Sequence, residues 1–460
     1  MPAAYEQGLF NQSTLDAALI RQYASLVRTG YFNGPSAPYR NLTFTNAVNL
    51  PSSQQLARRA AGEGIVLLKN NGTLLPLKKN LTLALIGSWA NATSQMQSSY
   101  TGRAPYLHSP VYAAEQLGYK VNYAQGPSGQ GDPTTDSWND IWPAAQSADV
   151  IVYIGGVDNT TEAEGMDRVS IAWMGDQLDL IGELASYGKP MLVVQMGGGQ
   201  LDSSPIAANP NITSLLWAGV PGQDGGSAIF DVLTGAVPPA GRLPTTQYPS
   251  IYTQQVPMTN MSLRPGENNP GRTYKWYNGT AVYEFGHGLH YTNFSTSLAA
   301  PLPTTNFSIA ELVAGCGNAD KTTCTFHTFP INIHNEGNIT SDYVALGFLA
   351  GTFGPAPYPK KSLVSYQRLH NIAPGATQTA QLNLTLNSLA RVDAMGNTVL
   401  YPGQYSLMVD TQPLTVVNFT LSGGQVMLDE WPQPPNATYQ TGKYYIGGFD
   451  GHTETVINPS

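Results

Sequence analysis

The sequence predicts an α/β plus β protein: a three-layer α/β sandwich with a mostly parallel sheet, followed by a β-sandwich. Three observations carry this. From about Ser53 to Leu233, apolar runs rich in β-branched residues alternate with helical stretches across short Gly-rich turns, the pattern of a parallel sheet covered on both faces. Beyond about Tyr291 the helical period fades, and short segments alternate apolar and polar residues with turns between them. Finally, 460 residues exceed what one core fills, since single cores stop growing near about 250–300 residues, so two or three domains are expected.

The elements follow in order. Ser13-Thr14-Leu15-Asp16 opens a helical pattern with Leu15, Leu19, Tyr23 and Val27 on one side, ending at Gly30. The Pro-, Asn- and Gly-rich stretch from Asn33 to Asn41 reads as a linker. Helices are expected over Gln54–Gly64, Pro110–Leu117, Met174–Tyr187 and Gly225–Leu233. Strands are expected at Ile65–Leu68, Leu81–Ile86, Val150–Ile154, Met191–Val194 and Ser214–Trp217. Gly197-Gly198-Gly199 lacks the spacing of a dinucleotide-binding turn, because Asp202 stands where the third glycine is needed; close backbone packing explains it. Pro238 to Arg272 reads as a connector. In the second half, Thr328–Ile333, Tyr343–Phe348, Thr379–Leu386 and Tyr405–Val409 alternate like strands, with turns at Asn335-Glu336-Gly337, Ala373-Pro374-Gly375 and Tyr401-Pro402-Gly403. The tail beyond about Glu430 has no clear period.

A net charge of −8 and a pI near 5.3 argue against nucleic acid or anionic membranes as partners. No apolar run approaches the roughly 20 residues of a membrane-spanning helix. Asn-x-Ser/Thr sequons number fifteen, among them Asn41, Asn71, Asn91, Asn211, Asn278, Asn338, Asn383 and Asn418, a density that points to a secreted glycoprotein. Cys316 and Cys324 are close enough in sequence for a disulfide in an oxidising compartment, or are two buried thiols. Residues 1–7 have neither the basic nor the apolar region of an export signal; a secreted-looking chain without one is expected to lack an N-terminal portion. No cofactor motif stands out. The histidines do not cluster as metal ligands, and His287 and His290 read as structural.

The chemistry concentrates in one place. Asp158, Glu162, Glu164, Asp167 and Arg168 crowd the segment after Val150–Ile154, in a chain that is only 11% charged. Ligands of open α/β sheets sit at the carboxyl ends of strands, so these carboxylates are placed for acid–base work. The alternative is a capped loop with Asp167 and Arg168 paired and both glutamates facing water.

Several motifs together resemble the glycoside hydrolase family 3 enzymes. These are Gly64-Ile65-Val66-Leu67-Leu68-Lys69-Asn70 with Leu75-Pro76-Leu77, then Pro221-Gly222-Gln223-Asp224-Gly225-Gly226, then Pro239-Ala240-Gly241-Arg242-Leu243-Pro244, and finally Tyr283-Glu284-Phe285-Gly286-His287-Gly288-Leu289-His290-Tyr291. Val157 to Arg168, Gln195 to Gln200 and Thr273 to Tyr277 are similar to the family's fungal exo-1,4-β-xylosidase branch. Such enzymes are retaining exo-glycosidases built from a barrel, an α/β sandwich and a fibronectin-III-like domain. The barrel supplies an Asp nucleophile, and the sandwich lends a Glu acid/base.

The resemblance therefore implies 1–45 as a barrel remnant and linker, 46–250 as the α/β sandwich, 251–300 as a connector, 301–430 as the fibronectin-III-like domain and 431–460 as a tail. It implies release of D-xylose from non-reducing ends of β-1,4-xylo-oligosaccharides, with a barrel outside this chain as partner. Glu164 matches the acid/base, since it precedes Arg168 by four residues as in the family's E-G-x-D-R loops; Glu162 competes, and Asp167 and Arg168 brace the loop. The nearest approach to the nucleophile's Ser-Asp-Trp setting, Ser341-Asp342-Tyr343, reads as an ordinary strand start. A β-glucosidase, an α-L-arabinofuranosidase or a non-catalytic carbohydrate-binding remnant remain the alternatives.

Overall fold

The computed structural model describes residues 2–37, 39–72, 74–127, 138–431, 444–447 and 454–457. It divides into two units, 1–61 and 62–460. The first is helical: α1 (Pro2–Glu6), α2 (Gln12–Arg28), α3 (Phe44–Ala47) and the start of α4 (Pro51–Gly64). The cap of α2 lies earlier than expected, because the Asn11 side chain accepts the N–H of Thr14 at 2.9 Å and Ser13 falls inside the helix.

The second unit opens with a six-stranded sheet of β1 (Val66–Asn70), β2 (Thr82–Ile86), β3 (Lys120–Ala124), β4 (Val150–Gly156), β5 (Met191–Met196) and β6 (Ser214–Gly219). Their spatial order is β1-β6-β5-β4-β2-β3, with β1 antiparallel and the rest parallel. The helices are α5 (Pro110–Gln116), α6 (Trp138–Gln146), α7 (Gln177–Ala185), α8 (Ser204–Ala208) and α9 (Gly225–Leu233). The β2–α5–β3 and β4–α7–β5 crossovers run in opposite directions along the sheet. Right-handed connections therefore put α5 and α7 on opposite faces.

Burial follows. Ile151, Tyr153 and Val193 share a core with Ile141, Leu180, Leu184 and Ile206 of α6, α7 and α8. The alternate residues Val152, Ile154, Leu192 and Val194 are equally buried on the other face. The expected helix over Met174–Tyr187 is shorter, because Gln177 turns inward at its first position and spends its side chain on β4.

Antiparallel β1 is an edge strand, and its outer border is not open. The connector lies along it: Leu289 donates its N–H to the Leu67 carbonyl at 2.8 Å, and His287 Nε2 reaches the Leu68 carbonyl at 3.1 Å. Lys69, in the same strand, buries its ammonium at the end of α8, donating to the carbonyls of Ala207 (3.0 Å) and Asn209 (2.7 Å).

The β-sandwich follows. One sheet has the order β11-β10-β15-β16-β8, from β8 (Asn306–Ser308), β10 (Ser341–Phe353), β11 (Ser362–Ile372), β15 (Gly403–Val409) and β16 (Thr415–Ser422). The other is β12-β9-β7, from β7 (Phe294–Leu298), β9 (Thr325–Asn335) and β12 (Thr377–Thr385). Phe329, Ile331 and Ile333 alternate inward against Leu382, Tyr405, Leu407 and Phe419. A smaller sheet of β13 (Arg391–Val392), β14 (Thr398–Leu400) and β17 (Val426–Asp429) closes one end. Cys316 and Cys324 form a disulfide that ties the end of the helix Ile309–Gly315 to the approach to β9. In the tail, Tyr444–Gly447 pairs with Glu454–Ile457; the rest of 432–460 lies outside the described residues.

Candidate active site

The strand order reverses between β2 and β4: the chain leaves β2 for β3 on one side and returns to β4 on the other. At such a switch point the loops beyond the two carboxyl ends diverge and leave a crevice. Here those loops are 87–109 after β2 and 157–176 after β4. They bound a cleft of about 430 Å³ with Ser98, Ser99 and Tyr100 from the first, and Glu162, Glu164, Asp167 and Arg168 from the second; Met258 completes the rim.

The end of β4 is held firmly. Gln177 Oε1 accepts the Gly156 N–H at 2.9 Å and the Tyr153 hydroxyl at 3.2 Å, while its Nε2 donates to the Gly156 carbonyl at 3.2 Å. Gly156 has φ +143°, and a Cβ there would collide with the Met196 carbonyl. Asp158 then starts a turn, accepting the Thr160 N–H at 2.9 Å and the Thr160 hydroxyl at 2.6 Å. Ala163 and Met166 exchange backbone hydrogen bonds (2.9 and 3.3 Å), closing a two-residue turn with Gly165 at φ +75°. Glu164 occupies the first tip position. It is exposed, and it has no side-chain partner among the described residues.

Glu162 is placed quite differently. Its Oε2 accepts Arg168 Nε at 2.5 Å, and the Arg168 side chain, only 8% exposed, also donates to the carbonyls of Gln200 (3.0 Å) and Ser170 (3.3 Å). This pair lies directly over Gly199, where any side chain would strike both partners. The close packing expected of the triple glycine is thus the seat of the ion pair. Gln200 continues the anchorage by donating to the Tyr248 carbonyl at 2.9 Å, and Asp202 accepts the Ser250 N–H at 2.7 Å.

Arg168 braces the loop, as the sequence suggests, but its partner is Glu162. Asp167, expected to brace beside it, is exposed and unpartnered among the described residues, because the turn directs it toward the cleft instead. Sequence reasoning missed Tyr100, which is 83% exposed on the opposite wall and whose backbone is left-handed at φ +58°. Its Ser-rich loop carries no Asp or Glu and gave no signal. Gln177, which fixes the strand end, was equally invisible.

Elsewhere, Ser341 begins β10, and Asp342 accepts from Arg368 Nε (2.9 Å), His370 Nδ1 (2.8 Å) and the Asn371 N–H (2.9 Å). With Glu63 and His370 it forms the one grouping of metal-ligand type found among the described residues, but Arg368 already compensates both carboxylates. The eight sequon asparagines named above are all exposed.

Comparison with known proteins fits this geometry. Residues 65–291 match the glycosyl hydrolase family 3 C-terminal domain, and 344–412 match the fibronectin type III-like domain. The chain belongs to glycosyl hydrolase family 3, of which it carries these two domains. It is 50% identical over 436 residues to a probable exo-1,4-β-xylosidase of Aspergillus fumigatus, covering 94% of this chain and 56% of that protein, and 49% identical to its Aspergillus terreus counterpart. A solved family 3 exo-β-xylosidase in complex with a xylobiose aziridine activity-based probe superimposes with a TM-score of 0.87 at 44% identity, covering 95% of this chain and 57% of that one. A Listeria innocua β-glucosidase shares the fold alone, at 21% identity and a TM-score of 0.76. The chain spans little more than half the length of these relatives.

Proposed function

We propose that this chain supplies the general acid/base, Glu164, of a retaining exo-β-xylosidase that releases D-xylose from the non-reducing ends of β-1,4-xylo-oligosaccharides. The observation that carries the assignment is the contrast between the two glutamates. Glu162 is committed to Arg168, whereas Glu164 stands free at the tip of a turn on the wall of the switch-point cleft. A proton donor must reach a leaving oxygen, and of the two glutamates the unpaired Glu164 is the better placed.

Retaining hydrolysis needs a second carboxylate about 5–5.5 Å from the first, attacking from the other face of the sugar. Glu162, Glu164 and Asp167 belong to one loop and therefore to one wall; Ser98, Ser99, Tyr100 and Met258 across the cleft offer no carboxylate. The nucleophile then comes from a barrel domain that this chain partners in the parent enzyme. Exposed apolar side chains around the cleft, Tyr100, Val169 and Met258, suit such a covering module. No cofactor is required. The exposed sequons and the disulfide support a secreted glycoprotein as the parent enzyme.

The test replaces Glu164 by Gln in the barrel-containing enzyme. Turnover of xylobiose should fall by roughly 10²–10⁴-fold, the usual contribution of a general acid, while aryl xylosides with good leaving groups lose much less. Near-normal turnover of xylobiose would remove Glu164 from the role.

A further inference from the structure

The opposite end of the parallel sheet carries a second hollow, of about 520 Å³, lying where β2, β4, β5 and β6 begin: Leu81, Asp149, Pro190 and Thr213 all border it. Asn71 and Asn211, 140 positions apart in sequence, converge on it, and both are sequon asparagines. Asn211 sits at the tip of a tight turn. Pro210 precedes it, the Ile212 N–H returns to the Asn209 carbonyl at 3.3 Å, and Asn209 Oδ1 accepts the Asn211 N–H at 3.0 Å. That turn leaves the Asn211 side chain exposed and unpartnered among the described residues, while Ile212 is fully buried and Thr213 is fixed by its hydroxyl to the Met191 carbonyl at 2.6 Å. The anchor is rigid and the amide is free.

We propose that Asn211 carries an N-linked glycan whose first N-acetylglucosamine units seat in this hollow, against Leu74, Pro190 and Pro210 with Lys78 at the rim. The inference rests on the secretory reading above. In the attachment, Asn211 Nδ2 bonds to the anomeric carbon of a lipid-diphosphate oligosaccharide; the C1–O bond to the diphosphate breaks, and the amide proton leaves with it. The volume is within the range of clefts that enclose small ligands, and its mix of apolar wall and polar rim suits a sugar with one apolar face. Seated there, the glycan ties together the loops that begin four strands.

The experiment expresses the 460-residue chain through the secretory route of a eukaryotic host and maps occupied sequons by glycopeptide mass spectrometry. The native protein is then treated with an endoglycosidase that cuts between the first two N-acetylglucosamine units. Asn211 should be occupied and released about tenfold more slowly than the glycans on other sequons, the difference vanishing on denaturation. Asn211→Gln should lower the thermal midpoint. Occupancy elsewhere with Asn211 bare, or equal release from Asn211 and the other sites in the native protein, overturns the proposal alone. A chain without any N-glycan overturns it together with the secretory reading.

Discussion

At the scale of single residues, two glutamates separated by one alanine do opposite work. Glu162 spends its charge inward, on a guanidinium that also ties down two backbone carbonyls. Removing that guanidinium strands a carboxylate and leaves the Gln200 carbonyl without its donor. Arg168→Ala is therefore expected to destabilise the chain by about 1–2 kcal/mol, a modest cost because Glu162 is partly solvated. In the barrel-containing enzyme it should also lower kcat, because the turn that presents Glu164 loses its footing. Urea unfolding and steady-state kinetics on the same variant check both; an unchanged unfolding midpoint would show that the pair contributes nothing. The candidate site was legible in sequence because charge is scarce here, so five ionisable groups after one strand stand out. Which glutamate is free was not legible: that depends on Gly199, more than thirty positions away, making room for the pair.

At the scale of elements, the connector and the sandwich meet through a buried charge cluster. Arg242 Nη2 donates to Asp410 Oδ2 at 2.7 Å, the Tyr343 hydroxyl donates to the same oxygen at 2.6 Å, and His290 stacks on the Tyr343 ring. Burial, reinforced by the nearby Arg242 and opposed by Asp410, pushes the His290 pKa from 6.5 down to about 3. The unfolded chain takes up this proton near pH 6.5 and the folded one only near 3. Within that window the unfolded state binds more protons, so stability rises with pH; the contribution is complete above 6.5 and is lost as pH falls toward 3.

The slope reaches up to about 1.4 kcal/mol per pH unit. Unfolding midpoints measured from pH 7 to pH 4 should drop steeply for the parent chain and less so for His290→Gln. Parallel slopes would remove His290 as the cause. Strands with clear apolar runs or strict alternation, such as β4, β5 and β9, were readable from sequence. β3 and β11 were not, because Lys120–Ala124 is a half-exposed edge and Ser362–Ile372 is polar along most of its length. Their pairing partners, not their own residues, make them strands.

At the scale of the whole molecule, one wall of the switch-point cleft is held by the Glu162–Arg168 pair and by Gln177 on the end of β4. The purified 460-residue chain is expected to release almost no xylose from xylobiose, since a proton donor cannot replace the covalent step. Activity should appear when a family barrel is supplied fused or in trans. Vigorous turnover by the chain alone, measured by reducing-sugar release, would mean that a nucleophile lies within it.

The Leu289–Leu67 pairing carries one last consequence. The stretch that introduces the sandwich also serves as the hem of the neighbouring sheet, so a protease nick between Tyr283 and Tyr291 does more than sever two halves. It strips the Leu67 and Leu68 carbonyls on β1 of their partners, and the clipped pieces should clump by stitching borders together.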